Sequence, residues 1–216
     1  MQIVSDFLKT ILSPPFCIQC HTFLTERTHL CSTCIAAIKP VFSYPLEISK
    51  TRDMPIYALS IYDGIIRSLI IAKHHGSRTA STQLGDLIAD HLICPWQQYD
   101  CLVPVPLHWT RYAKRGFNQA KIIAQKISAK TGLPIHELVY RSRKTAYQTS
   151  VDKNNRIKNV SGAFCLRREA TEQFHNARFL IVDDLMTTGA TLRAIARTLN
   201  PCEPLALGAV VAARVS

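Results

Sequence analysis

The segment IVDDLMTTGAT, residues 181–191, places two acidic residues directly after a run of apolar ones. Neighbouring carboxylates repel each other, so Asp183 and Asp184 favour a role in accepting hydroxyl groups or a metal ion. The following Thr187-Thr188-Gly189-Ala190-Thr191 supplies hydroxyls and backbone N–H groups where a helical pattern begins, and helix N-termini bind phosphate. The acidic pair and the loop therefore match a ligand with both a sugar diol and a phosphate, such as a ribose 5-phosphate.

This loop is neither of two common phosphate-binding motifs. It lacks the GxxxxGK[ST] of a Walker P-loop and the GxGxxG of dinucleotide-binding folds. The alternative interpretation is a solvent-exposed turn in which acidic residues cap a helix. The succession of apolar strand, acidic pair, TTGAT and helix favours the binding loop.

The eight cysteines form two groups. Two C-x2-C pairs are separated by ten residues: Cys17, Cys20, Cys31 and Cys34. Two such pairs can supply the four ligands of tetrahedral zinc, whereas a redox dithiol needs only one C-x2-C pair. Four sulfur ligands leave no open coordination position, so the predicted zinc is structural and folds a module too small to bury its own core. The nearby His21 and His29 are expected at the surface. The other cysteines have apolar neighbours and are expected to be buried thiols: Cys94, Cys101, Cys165 and Cys202.

The net charge of +11 is concentrated in one segment. Residues 101–170 hold fourteen lysines and arginines against three acidic residues, whereas the rest of the chain carries equal numbers of each sign. A basic surface that is merely solvated is one interpretation, and an anion site for phosphates or nucleic acid is the other. Aromatic residues, which can stack on unpaired bases, are interleaved with these cations. They are Trp109, Tyr112, Phe117, Tyr140, Tyr147 and Phe164.

The order of predicted elements indicates an α/β domain with a mostly parallel sheet flanked by helices. Apolar strand patterns at 101–105, 178–184 and 205–215 alternate with helical patterns, including those at 118–130 and 187–199. In such sheets, ligands bind beyond the carboxyl ends of the strands, which is where the acidic pair is expected. We divide the chain into residues 1–40, comprising an N-terminal helix and the cysteine module, and residues 41–216, the α/β domain.

Several motifs, taken in order, resemble a known family. IVDDLMTTGAT resembles the loop that binds phosphoribosyl pyrophosphate (PRPP) in type I phosphoribosyltransferases. A preceding four-cysteine zinc finger and the other motifs narrow the resemblance to the competence protein F (ComF) family. These motifs are LIIAKHHG at 69–76, VPVPL at 103–107, RGFNQ at 115–119 and R-x-R-x-T-x-x-Q…R-x-x-N at 141–159. The resemblance extends over nearly the whole chain, but Asn200-Pro201-Cys202 stands where a Gly-Ala turn is expected.

The resemblance implies a PRPP site that also takes Mg²⁺. Asp183 and Asp184 would hold the ribose hydroxyls, and Mg²⁺ would bridge to the pyrophosphate. Residues 187–191 would grip the 5-phosphate, while Pro106, Leu107 and His108 would approach the pyrophosphate. Charge on the departing pyrophosphate requires electrostatic stabilisation. The implied catalytic set is Asp183, Asp184, Arg115, Arg143 and Lys144. The roles of Lys73 and Arg156 stay open.

Two functions are compatible with these features. The resemblance favours a competence protein that handles incoming single-stranded DNA at the cytoplasmic side of the inner membrane during natural transformation and binds PRPP. The alternative is an active phosphoribosyltransferase. Its acceptor is unknown, because the sequence reveals no second substrate pocket. DNA-uptake channel proteins or a helicase are further partners that the resemblance allows.

The sequence also indicates where in the cell the protein is expected. No apolar run reaches the roughly 18 residues that span a bilayer. Residues 1–16 lack the basic start and the small-residue cleavage site of a signal peptide. Apolar residues between positions 3 and 12 recur with helical spacing and predict an amphipathic helix. We therefore expect a cytoplasmic protein, and peripheral attachment to the inner membrane is compatible with this expectation.

Overall fold

The computed structural model describes residues 16–25, 28–39, 41, 43–74, 77–107, 112–113, 116–142 and 162–215, with the backbone alone at 73 and 74. The helix predicted between residues 3 and 12 lies outside these ranges. The strands are β1 (Tyr44–Ser49), β2 (Arg52–Ile61), β3 (Cys101–Pro104), β4 (Val139–Arg141), β5 (Phe164–Leu166), β6 (Arg178–Met186) and β7 (Ala206–Arg214). The α-helices are α1 (Ser32–Ala36), α2 (Gly64–His74), α3 (Arg78–His91), α4 (Gln119–Thr131), α5 (Ala170–Gln173) and α6 (Ala190–Leu199).

A five-stranded sheet of order β1-β2-β7-β6-β3 forms the centre of the fold. Strands β2, β7, β6 and β3 are parallel to one another, and only β1 at the edge pairs antiparallel, with β2. Residues 207–213 of β7 are all buried, as expected for a strand covered on both faces. The predicted fold class, a mostly parallel sheet flanked by helices, is confirmed.

Each face of the sheet packs a separate core. Because side chains alternate along a strand, Phe179 and Ile181 of β6 face α6, where Leu192 and Ile195 are buried. Leu180 and Val182 belong to the opposite core, which includes buried residues of α2, α3 and α4.

A two-stranded antiparallel ribbon of β4 and β5 lies outside the main sheet. After α4, the chain runs beside β3, where His136 N donates to Leu102 O at 2.9 Å and Leu102 N donates to Pro134 O at 2.8 Å. It then enters β4. The ribbon was not predicted, because its strands are three residues each and too short for a periodic pattern.

The cysteine module packs directly against the α/β domain. Cys17, Leu24 and Leu30 are buried in the same core as Leu69 of α2 and Leu84 of α3. The division of the chain at residue 40 stays a prediction.

The buried-thiol expectation holds for Cys94, Cys101 and Cys202. It is wrong for Cys165, which is only half-buried because it lies in the ribbon rather than in the main sheet.

Candidate functional site

We use the term crevice for the place at the carboxyl edge of the sheet where β3 ends and its neighbour β6 continues. The last paired residue of β3 is Pro104, opposite Val182, and Val105 N still donates to Val182 O at 2.9 Å. Pro106 has no N–H group to continue the ladder. Strand β6 nevertheless continues to Met186, paired there with β7 alone among the described strands. The carboxyl end of β6 therefore projects past its neighbour, where parallel sheets bind ligands.

The two aspartates lie within the strand rather than beyond it. Asp183 pairs in register with Val211 of β7, and β6 ends three residues later. The expectation that the strand stops at the acidic pair is wrong, because pairing with β7 extends it. Both aspartates lie on the part of β6 that extends past Pro104, the last paired residue of β3. Both are half-buried, and Asp184 N donates to Asp183 Oδ1 at 2.9 Å.

Gly189 makes the turn between β6 and α6. Its φ of +73° lies in the left-handed region that favours glycine. A Cβ at this position would lie 2.7 Å from Leu46 Cδ1, so the turn also requires a close approach to β1. Thr187 is exposed and Thr188 half-buried just before this turn. The hydroxyls and the N-terminus of α6 are thus held at the end of β6.

Arg193 anchors the turn, a role that was missed in the sequence. Its Nη1 donates to Thr188 O at 2.7 Å and its Nε donates to Glu47 O at 2.8 Å. The side chain therefore ties the TTGAT loop to β1. A signal was available, since a cation in the first turn of a helix opposes the helix dipole and needs carbonyl partners to offset this.

Asn118 joins the RGFNQ motif to the VPVPL strand end. Its Nδ2 donates to Val105 O at 3.0 Å, while its Oδ1 accepts from Ala120 N at 3.1 Å and caps α4. Pro106 and Leu107, which follow Val105, are half-buried and line an open cavity of about 580 Å³. One asparagine therefore fixes both the start of α4 and the edge of this cavity.

Several predicted site residues lie outside the part of the chain that the structure describes: His108, Arg115, Arg143, Lys144 and Arg156. The same holds for the aromatic residues Trp109 and Tyr147. Arg141 is described, and its guanidinium lies 5.3 Å from the centre of the Phe164 ring.

The four cysteines of the N-terminal module come together as predicted. Their sulfur atoms all lie within 4.8 Å of one another, and Cys20 Sγ is 3.5 Å from Cys31 Sγ. Tetrahedral zinc with Zn–S bonds of about 2.3 Å separates its sulfur ligands by roughly 3.8 Å. The Thr22 hydroxyl, 3.2 Å from Cys20 Sγ, lowers the pKa of that thiol to about 6 and favours the thiolate that binds metal. The cluster can hold a metal ion and is compatible with zinc.

His29 connects this module to α3. Its Nε2 lies 2.8 Å from Ser77 Oγ, and its backbone N–H donates to Gln83 Oε1 at 2.7 Å. Ser77 in turn caps α3 by accepting from Ala80 N. The expectation that His29 is a surface residue is wrong, because the ring is half-buried at this junction and burial lowers its pKa.

Comparison with known proteins shows which family the chain resembles. The model of the phosphoribosyl transferase domain matches residues 112–216. Competence protein F of Haemophilus influenzae is 28% identical over 207 residues, which make up 92% of this chain and 84% of that protein. The chain is similar to the ComF family.

Two further relatives match shorter stretches of this chain. The DNA utilization protein YhgH of Escherichia coli is 34% identical over 140 residues, which cover 64% of this chain and 54% of that protein. Competence protein ComFC of Bacillus subtilis is 32% identical over 98 residues, covering 45% of this chain and 37% of that protein. Among solved structures, a glutamine PRPP amidotransferase from B. subtilis shares 17% identity over 61% of this chain and 25% of that chain, with a TM-score of 0.41.

This similarity agrees with the fold described above. The matched phosphoribosyl transferase domain contains β6 and α6, and the four-cysteine module precedes it. Among the helices in the described ranges, none combines the length and apolar character needed to cross a membrane.

Proposed function

We propose that this chain is a competence protein that handles incoming single-stranded DNA at the cytoplasmic side of the inner membrane and binds PRPP in the crevice beyond β3. The relatives in H. influenzae and B. subtilis carry competence in their names, and those in E. coli carry DNA utilization. The observation that supports the PRPP site best is the projecting end of β6, followed directly by the Gly189 turn and α6.

In this proposal the ribose and its 5-phosphate bind adjacent parts of the crevice. Asp183 and Asp184 accept hydrogen bonds from the ribose hydroxyls. Residues 187–191 hold the 5-phosphate through their hydroxyls and the N–H groups at the start of α6, where the helix dipole favours an anion. Arg193 holds the loop through its two carbonyl contacts and does not touch the ligand.

The pyrophosphate would extend toward the end of β3. Pro106, Leu107 and His108 would approach it there, and Arg115, Arg143 and Lys144 would neutralise its charge. Mg²⁺ prefers oxygen ligands from carboxylates and phosphates, so Asp183, Asp184 and the pyrophosphate form a suitable donor set. Bound Mg²⁺ would reduce the charge on the pyrophosphate. We further propose structural zinc at Cys17, Cys20, Cys31 and Cys34.

Handling of DNA is supported by charge. The whole net charge of +11 lies in residues 101–170. Cations in this segment can track a phosphate backbone, and binding through several phosphates weakens steeply as salt is added. Attachment at the inner membrane would be peripheral.

An active phosphoribosyltransferase is the second candidate. The observation in its favour is the cavity of about 580 Å³ that Pro106 and Leu107 line beside the crevice, which is large enough for an acceptor. Release of pyrophosphate from PRPP that depends on an added acceptor would support this candidate over the first.

Calorimetric titration with PRPP and Mg²⁺ tests the PRPP site. We expect saturable binding to the zinc-loaded protein, and its loss in Asp183→Asn/Asp184→Asn. Asp53→Asn, which removes an exposed carboxylate from β2, is the control and should bind normally. Absence of saturable binding to the unmodified chain would contradict the proposal.

A further inference from the structure

The cavity beside the VPVPL strand end, called the basic–aromatic pocket below, is assembled from separate segments. Its described walls come from the start of α3, residues 106–107, Tyr112, residues 116–118, the outer face of α4, strand β4 and Arg167 after β5. No residue from 183 to 191 lines it, so it is distinct from the loop proposed for the ribose 5-phosphate, and Pro106 and Leu107 lie between the two. At about 580 Å³, it lies within the usual volume range of small-molecule sites.

Three aromatic rings border this pocket, and two of them are open to solvent. Tyr112 is 53% exposed and Tyr140 is 44% exposed, while Phe117 is half-buried. In β4, Tyr140 faces outward because its neighbour Val139 is buried in the core. Exposed rings of this kind provide faces on which an unpaired base can stack, and such stacking tolerates any base.

Basic side chains outnumber acidic ones around the same rings. Among the described lining residues, four are cations, Arg78, Lys121, Arg141 and Arg167, and one is a carboxylate, Glu137. Lys121 Nζ lies 2.5 Å from Glu137 Oε2, so that pair is neutral as a unit. Arg78 and Arg167 are exposed and add positive charge to these walls, and guanidinium groups bind phosphate through several donors.

Arg167 is fixed in place at the rim. Its Nε donates to Glu137 O at 2.7 Å, which holds the guanidinium at the junction between the ribbon and the segment after α4. A guanidinium carries five N–H donors, so one carbonyl contact leaves donors available for a ligand.

We propose that the basic–aromatic pocket binds a nucleotide unit of single-stranded DNA, with its base against Tyr112 and Tyr140 and its phosphates against Arg78 and Arg167. This inference rests on the proposed DNA-handling function and assigns that function a place. A duplex does not fit the same chemistry, because its bases are stacked on each other and offer no free face. A free mononucleotide shares the chemistry, and the experiment below separates it from a strand.

Fluorescence anisotropy with a labelled oligothymidylate tests the stacking contacts. Stacking contributes about 1–3 kcal/mol per base, so Tyr140→Ala and Tyr112→Ala should each weaken binding by roughly tenfold. Tyr140→Phe keeps the ring and should bind nearly as well as the unmodified chain. Tyr44→Ala is the matched control, since Tyr44 is 46% exposed and lies on β1, outside the pocket.

The phosphate contact has its own test. Replacing Arg167 with glutamine should reduce the dependence of log K on log salt by about 0.7, the value expected for one phosphate of a single strand. Arg168→Gln removes the neighbouring exposed cation, which does not line the pocket, and should leave this slope unchanged.

The outcomes separate this inference from the function on which it rests. If the oligonucleotide binds the unmodified chain but Tyr112→Ala and Tyr140→Ala bind as well as Tyr44→Ala, the pocket is wrong and DNA handling stands. If the unmodified chain does not bind the oligonucleotide even at low salt, both fail. Thymidine monophosphate that binds as tightly as the oligonucleotide would overturn the strand as occupant. Normal PRPP binding by each variant excludes misfolding as the cause of a loss.

Discussion

The crevice and the basic–aromatic pocket are built in opposite ways. In the crevice, the groups proposed to hold the ribose 5-phosphate lie in one unbroken stretch, Asp183 to Thr191, on a strand, a turn and a helix start. The pocket collects its groups from segments between Arg78 and Arg167, which only the fold brings together. A site of the first kind can be identified from its motif, whereas a site of the second kind needs tertiary structure. The two sites should therefore respond differently to perturbation.

Removing a thiolate from the proposed zinc site should have the largest effect, and should affect the pocket more than the crevice. Ser77, which His29 contacts, caps the helix that begins with the pocket residue Arg78. Cys34→Ser should lower the free energy of unfolding by about 4 kcal/mol or more, as metal loss can. At temperatures where the variant stays folded, oligonucleotide affinity should fall more than PRPP affinity.

Thermal unfolding and the two binding assays check this expectation. Cys202→Ser is the control for loss of a thiol, because Cys202 lies beside Ala170, outside both the module and the pocket. Equal weakening of both ligands in Cys34→Ser would mean that the module supports the whole domain and not the pocket in particular.

Gly189→Ala should damage the crevice and spare the pocket. The left-handed φ costs about 1–2 kcal/mol for alanine, and overlap with Leu46 adds roughly 1–3 kcal/mol. Gly132→Ala separates the two costs, because its φ of +77° is similar but no atom lies within 4 Å of the added Cβ. Urea unfolding should show the larger loss for Gly189→Ala, and only this variant should bind PRPP more weakly. Equal losses in stability would remove the argument that the loop is packed against β1.

Arg193→Gln should give a smaller effect in the same direction. The change removes charge-assisted hydrogen bonds to Thr188 O and Glu47 O, with a cost of about 1–3 kcal/mol. Arg197→Gln is the matched control, since Arg197 Nη2 donates to Ile48 O at 3.1 Å, on the same strand, rather than to a carbonyl of the loop. Calorimetry should show weaker PRPP binding for Arg193→Gln alone. Normal PRPP binding by Arg193→Gln would contradict its anchoring role.

The smallest effect is expected at the opposite, amino end of β3 and β6, far from both sites along the strands. Hydrogen bonds from Arg178 lower the pKa of Asp100, and Arg178 N donates to Asp100 Oδ2 at 2.8 Å. Because the pKa is lower in the folded state, this pair stabilises the fold above the ordinary carboxyl pKa and the contribution is lost as pH falls through the lowered value. Asp100→Asn should slightly reduce the melting temperature at neutral pH and not in strong acid, with both ligands unaffected. A reduction that persists in acid would contradict the assigned cause.

Features whose cause lies in neighbouring residues could be predicted from the sequence. The helix predicted at 118–130 is Gln119–Thr131, capped by Asn118, and the four cysteines cluster as their spacing requires. Features that depend on distant partners were not predictable. The extension of β6 to Met186 comes from pairing with β7, and the half-buried position of His29 comes from its contact with Ser77.

The central claim is that the chain holds PRPP and single-stranded DNA in two separate places. Titrating PRPP and Mg²⁺ into the zinc-loaded protein, with and without saturating oligothymidylate, tests it most directly. Separate sites predict that PRPP still binds saturably to the protein when the oligonucleotide is at saturation, with a dissociation constant that no longer changes as more DNA is added. Displacement of PRPP by the oligonucleotide, with PRPP affinity falling in proportion to added DNA, would show one shared site and contradict the account.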